Sequence, residues 1–126
     1  MDLKQFLQEY EHCSCGQKHE CSLKDVQIGS GYVHRVGEIL KKNGFPRNLL
    51  LVADKTTLAV SDGITQSLKD FDVTLKVYDR LRVARMDDVR AIEAYFNEGI
   101  EAVLSVGTGS LNDPCRLACA RHNKMF

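Results

Sequence analysis

Strand-like and helix-like patterns alternate along this chain, and the alternation predicts an α/β fold in which helices flank a parallel sheet on both faces. Two near-continuous apolar runs, Leu49-Leu50-Leu51-Val52-Ala53 and Ala102-Val103-Leu104-Ser105-Val106, read as strands covered on both sides. The 126 residues, 44% of them hydrophobic, suffice for one domain with an ordinary core.

The elements follow in order. Leu3, Phe6, Leu7 and Tyr10 share one stripe, so residues 2–11 form a short amphipathic helix. The Cys, Ser, Gly and His content of residues 12–21 breaks the periodicity and marks a loop, and Val26-Gln27-Ile28 is a candidate strand stopped by Gly29-Ser30-Gly31. Val33, Val36, Ile39 and Leu40 define a helix over 32–43 that ends at Asn43-Gly44, with Lys41 and Lys42 complementing its dipole. The first strong strand, 49–53, comes next, then a helix over about 62–69 and an alternating strand over 73–78. Asp87 and Asp88 open a helix that runs to Phe96, the second strong strand spans 102–106, and a last helix covers about 111–121. Met125-Phe126 resembles the start of a further strand.

Charge and composition narrow the functional classes. With 17 basic against 17 acidic residues there is no electrostatic footprint for nucleic acid or an anionic membrane. The charged amino terminus lacks the apolar stretch of a signal peptide and no run reaches the roughly 20 residues a bilayer needs, so a cytoplasmic location is expected. An odd count of 5 Cys, two of them separated by one residue, favours reduced thiols or metal ligands over a disulfide framework.

The segment Val106-Gly107-Thr108-Gly109-Ser110 leads from a buried strand into a helix through two glycines. Such a turn presents backbone N–H groups and the positive end of a helix dipole to an anion, and glycine lets the backbone approach a pyrophosphate closely. Ser110 can cap the helix, with Asp113 at capping-box spacing, while its hydroxyl reaches a phosphate oxygen. A glycine turn before a capped helix also serves a purely structural purpose in any α/β protein. Asp54 ends the first strong strand, where open α/β sheets bind ligands and where an acid commonly holds the adenine ribose. It can equally be a helix cap for Lys55-Thr56-Thr57.

Together these segments resemble the sn-glycerol-1-phosphate dehydrogenase family, within the wider group of iron-containing alcohol dehydrogenases, glycerol dehydrogenases and dehydroquinate synthase-like proteins. Cys13-Ser14-Cys15-Gly16-Gln17-Lys18-His19 is similar to a C-x-C-G-x-x-H start, and Asp54-Lys55-Thr56-Thr57 to a D-x-N-T segment with Thr56 in place of Asn. Met86-Asp87-Asp88 falls where the family has Pro-Asp-Glu, and Gly107-Thr108-Gly109-Ser110-Leu111-Asn112-Asp113 resembles its G-S-G-T-I-N-D, with Pro114 a departure tolerable in a first helical turn. The resemblance implies a Rossmann-like domain, the amino-terminal part of a dehydroquinate synthase-like fold. In it Gly107, Thr108, Gly109 and Ser110 hold the pyrophosphate of NAD or NADP, Asp54 holds the adenine ribose and Asp113 lies toward the nicotinamide. It also implies a division into 1–23, a helix and Cys/His loop, and 24–126, the nucleotide-binding domain. The family's metal, zinc, nickel or iron, is held by an Asp and two His of a later helical domain that these residues do not include. The chain is therefore expected to bind dinucleotide weakly, to bind no family metal and to be inactive alone. An uncovered face would favour a homo-oligomer.

Other groups compete for attention. Cys13, Cys15, His19 and Cys21 are four soft-metal ligands within nine residues, a composition zinc accepts, although the spacing matches no standard knuckle. A non-enzymatic interaction module built on that loop is the rival reading. Cys115 and Cys119 share a helix face and suit the core. Arg80, Arg82 and Arg85 suit a solvated loop, and His34 and His122 have no evident catalytic partner.

Overall fold

The computed structural model describes residues 2–126. The chain divides into two compact units, one ending at Tyr32 and the other spanning Val33–Phe126.

The first unit holds helix α1, Leu3–Tyr10, whose start is fixed by Asp2: its side chain accepts a hydrogen bond from the Lys4 N–H at 2.9 Å. Phe6 and Tyr10 pack one turn apart with their rings tilted by 51° and centroids 5.0 Å from each other. None of the described residues of this unit is buried. The strand expected at Val26-Gln27-Ile28 does not form. Those residues are irregular and Ile28 is 81% exposed. A strand exists only through a ladder with a neighbour, and a three-residue apolar stretch ending in Gly29-Ser30-Gly31 finds none among the described residues.

The second unit is the α/β domain. Its sheet contains β1 (Asn48–Asp54), β2 (Asp72–Tyr78) and β3 (Ala102–Val106), all parallel, in the order β2-β1-β3. The apolar run of β1 makes it the central strand, and Leu49 through Ala53 are fully buried. Each such leucine contributes about 1.5–3 kcal/mol of burial. Its alternate residues face two separate cores. Leu50 and Val52 pack with Val89 and Ile92 of α5 (Met86–Tyr95) and with Leu111, Cys115 and Cys119 of α6 (Gly109–Arg121). Leu49, Leu51 and Ala53 pack under α2 (Val36–Lys42), α3 (Lys55–Val60) and α4 (Ile64–Ser67). The chain moves one way from β1 to β2 over one face and returns past β1 to β3 over the other, so both crossovers share a hand.

Several boundaries differ from expectation for local reasons. The helix foreseen over 32–43 begins as a 3-10 turn that ends at Arg35 and becomes α2 only at Val36. The segment after β1 holds two short helices instead of one, because Asp54 caps α3 directly and Gly63, in the left-handed region at φ 88°, starts α4 afresh. Helix α6 starts at Gly109, two residues early. Met125 makes a parallel bridge to Ala102, and its carbonyl accepts from the Val103 N–H at 3.0 Å, as the expected start of a further strand requires. Strand β2 is an edge on which Leu75 and Val77 remain 48% and 41% exposed. No helix among the described residues is long and apolar enough to cross a membrane.

Candidate functional site

The carboxyl ends of the three parallel strands bring Asp54, Tyr78 and the Gly107 turn to one edge of the sheet. Asp54 pairs in register with Tyr78, and Ala53 with Val106, so Gly107 lies level with Asp54 across β1 and β3. This is the edge where open α/β sheets receive ligands.

Asp54 is only 4% exposed, and its carboxylate Oδ1 accepts from the Thr57 N–H at 2.8 Å. The Asp54 N–H donates in return to Thr57 Oγ1 at 3.0 Å, completing a capping box. No partner for Oδ2 is found among the described residues. Of the two roles left open by the sequence, capping is the one visible in the geometry. Replacing Asp54 by Ala is expected to cost about 1 kcal/mol, whereas Asn, an equally good cap, should hold stability within about 0.5 kcal/mol of wild type. Urea denaturation of the two variants measures both.

That capping box sets the position of Thr57, and Thr57 is the neighbour of Gly107. Gly107 has φ 147°, a backbone conformation that side chains rarely adopt, and a Cβ placed on it would lie 2.7 Å from Thr57 Cγ2 and 2.6 Å from Leu111 Cδ1. The β3–α6 turn therefore closes tightly on the first turn of α3. Gly109 differs: its φ is outside the left-handed region and a Cβ there meets nothing within 4 Å. Gly107, Thr108 and Gly109 are all exposed.

Thr108 occupies the N-cap position of α6 without a side-chain cap, while its carbonyl accepts from the N–H groups of Leu111 and Asn112. The N–H groups of Gly109 and Ser110 head a 13-residue helix and have no intrahelical acceptor. Ser110 was expected to cap this helix with Asp113, and that expectation is corrected. Its hydroxyl donates to the Arg82 carbonyl at 2.8 Å, tying the first turn of α6 to the connection after β2, and as the second residue of the helix it stands too late to cap it. Asp113 is exposed, one turn further along.

The sulfur and imidazole groups separate into two populations. Cys115 and Cys119 are buried in the core, as expected, and burial pushes their thiols up to about 11 and about 12. In the first unit, Cys13, Cys15 and His19 converge, with their donor atoms all within 4.8 Å of one another. Hydrogen bonds from the Cys15 backbone and thiol, and from His19, hold the Cys13 thiol down at about 7. Cys21, the fourth candidate, is exposed and lies outside this group. No other group of three such side chains converges among the described residues.

Two surface clefts lie elsewhere. One of about 390 Å³ runs between α2 and α4 beside His34 and Lys41, and one of about 470 Å³ lies by Asn48 and Gly99 at the amino ends of the strands. Neither touches the glycine turn.

A parallel sheet flanked by helices, with a glycine turn opening a helix at its carboxyl edge, is an arrangement of open α/β folds that take their ligands at that edge. The pattern of the iron-containing alcohol dehydrogenases spans residues 27–126, and the chain belongs to that family. The mitochondrial hydroxyacid-oxoacid transhydrogenase of Bos taurus is 32% identical over 103 residues, covering 79% of this chain and 22% of that protein. The crystal structure of NADH-dependent butanol dehydrogenase A from Thermotoga maritima superposes with a TM-score of 0.62 at 27% identity, over 73% of this chain and 24% of that enzyme. The chain thus spans about a quarter or less of the length of these relatives. The family so established is broader than the sn-glycerol-1-phosphate group suggested by the motifs.

Proposed function

We propose that residues 33–126 are the dinucleotide-binding part of an NAD-dependent oxidoreductase of the iron-containing alcohol dehydrogenase family. The observation that carries this reading is Gly109, which has room for a side chain and no protein neighbour to exclude one, at the uncapped head of α6. A pyrophosphate lying against Gly107, Thr108 and Gly109 is an occupant that would require a bare backbone there and would accept from the N–H groups of Gly109 and Ser110.

Bound NAD would supply the hydride acceptor. The chain's own residues bind and orient it. Asp54, with Oδ1 engaged by Thr57, offers Oδ2 to the adenine ribose hydroxyls, and its charge disfavours a 2′-phosphate. Ser110 holds the turn in place through Arg82, and Asp113, exposed one turn into α6, would lie toward the nicotinamide half. The NADH dependence in the butanol dehydrogenase's name supports the same preference. The motifs at Cys13–His19, Asp54–Thr57 and Gly107–Asp113 support the finer reading of an sn-glycerol-1-phosphate dehydrogenase. No carboxylate and imidazole set matching the iron of the family name converges among the described residues.

Calorimetric titration of the 126-residue chain tests the reading. NAD and ADP-ribose should bind, and NADP about ten-fold or more weakly, as expected when a bond to a charged group worth about 1.5–3 kcal/mol is lost. Turnover of dihydroxyacetone phosphate with NADH should be undetectable, since a cofactor site alone supplies no stabilisation to the transition state. No binding at millimolar ligand would overturn the proposal.

A further inference from the structure

No described residue of the first unit is fully buried, and only a few, such as Leu3, Leu7 and Cys13, are half-buried, yet they form a compact unit. A segment of this length cannot hold itself together by apolar burial and needs a staple. A donor set suited to that purpose stands at the loop after α1. Cys13 Sγ, Cys15 Sγ and His19 Nε2 all lie within 4.8 Å of one another, with the Cys15 and His19 atoms 3.0 Å apart. Zinc–sulfur bonds of about 2.3 Å and zinc–nitrogen bonds of about 2.0–2.1 Å in a tetrahedron put ligand atoms about 3.5–3.8 Å apart. Shifts of well under an ångström to about one ångström would seat an ion among these three.

The backbone supports the same arrangement. Gly16, at φ 74°, reverses the chain directly after Cys15, and since a Cβ there would meet nothing, glycine serves the conformation and not the space. The Gly16 N–H closes the turn on the Cys13 carbonyl at 3.2 Å. The Gln17 N–H points at Cys15 Sγ at 3.4 Å, the kind of bond that stabilises a sulfur carrying negative charge. Both cysteines of the C-x-C pair thereby converge with the imidazole of His19, four residues beyond Cys15.

We propose that Cys13, Cys15 and His19 bind one zinc ion, with water in the fourth position, and that this ion is the staple of residues 2–32. Two thiolates and one imidazole are soft donors that select zinc over magnesium or calcium. Cys21, outside the group, takes no part.

The test uses the full chain, reduced and stripped of metal. Zinc titrated against a chromophoric chelator should bind at one equivalent, unaffected by millimolar magnesium. Cobalt in its place should give a thiolate-to-metal charge-transfer band. The double variant Cys13→Ser with Cys15→Ser should lose the band and bind zinc about 100-fold or more weakly, whereas Cys21→Ser should stay within about two-fold of wild type. Zinc should shield Cys13 and Cys15 from iodoacetamide while Cys21 reacts at an unchanged rate, and should slow proteolysis within residues 2–32. Absence of stoichiometric zinc, undiminished affinity in the double variant or no change in proteolysis would overturn the proposal. Loss of zinc in Cys21→Ser would overturn the three-donor set. Because nucleotide binding rests on residues 33–126, each result is independent of the NAD titration.

Discussion

Gly107→Ala is expected to destabilise the α/β domain by about 3 kcal/mol, combining a strained backbone with overpacking. The substitution adds one methyl group, and two independent costs follow. Alanine at φ 147° occupies a region nearly reserved for glycine, and its Cβ falls 2.6 Å from Leu111 Cδ1 and 2.7 Å from Thr57 Cγ2. Neither neighbour can step aside freely. Leu111 is fully buried in the core beneath α6, and Thr57 is held by its reciprocal hydrogen bonds with Asp54. A loss of this size is a large share of the 5–15 kcal/mol that holds a small domain together and should lower its melting temperature by roughly 10–20 °C. Thr57→Ser removes the clashing methyl but keeps the hydroxyl of the capping box. In that background the cost of Gly107→Ala should fall by about 1 kcal/mol, the coupling expected of residues in contact. Differential scanning calorimetry of the four proteins reads the cycle. Melting of Gly107→Ala within 2 °C of wild type, or no coupling to Thr57, would show that the turn is not closed as described.

The same turn shows what a sequence can and cannot carry. Strands β1 and β3 were legible to within a residue because a run such as Leu49–Ala53 has one comfortable place, between two helical layers. Helix α3 was not. Lys55-Thr56-Thr57-Leu58-Ala59-Val60 is six residues long and rich in β-branched side chains, a poor helix by propensity, and it exists through the cap that Asp54 places on Thr57. The Asp-x-x-Thr spacing was its one local signal. Val26-Gln27-Ile28 fails in the opposite direction, since suitable strand residues form no strand without a partner ladder. Ser110 has the spacing of a capping residue toward Asp113, but its hydroxyl bonds the Arg82 carbonyl 28 residues away, and no local rule reports such a bond. Gly107 and Gly109 look equivalent in Gly-Thr-Gly-Ser. Only the positions of Thr57 and Leu111 separate a glycine needed by the fold from one that the fold leaves unexplained.

That separation yields the sharpest test of function, because fold and binding then depend on different glycines. Gly109→Ala and Gly109→Val place a side chain in open space at the first position of α6, so neither should lower the melting temperature by more than about 3 °C, and alanine can raise it by several degrees through helix propensity worth up to about 1 kcal/mol. Binding should behave otherwise. A valine branched at Cβ would stand between the backbone and a pyrophosphate drawn to the N–H groups of Gly109 and Ser110, and losing one bond to a charged group, about 1.5–3 kcal/mol, corresponds to a ten- to hundred-fold loss of affinity. Alanine should produce a smaller loss in the same direction. ADP-ribose and NAD should both report it, whereas adenosine, which carries no pyrophosphate, should bind the variants as it binds wild type. Calorimetry with the three ligands, alongside the melting curves, distinguishes the outcomes. A stable Gly109→Val that binds ADP-ribose as well as wild type would mean that the open space at Gly109 is not where the pyrophosphate lies.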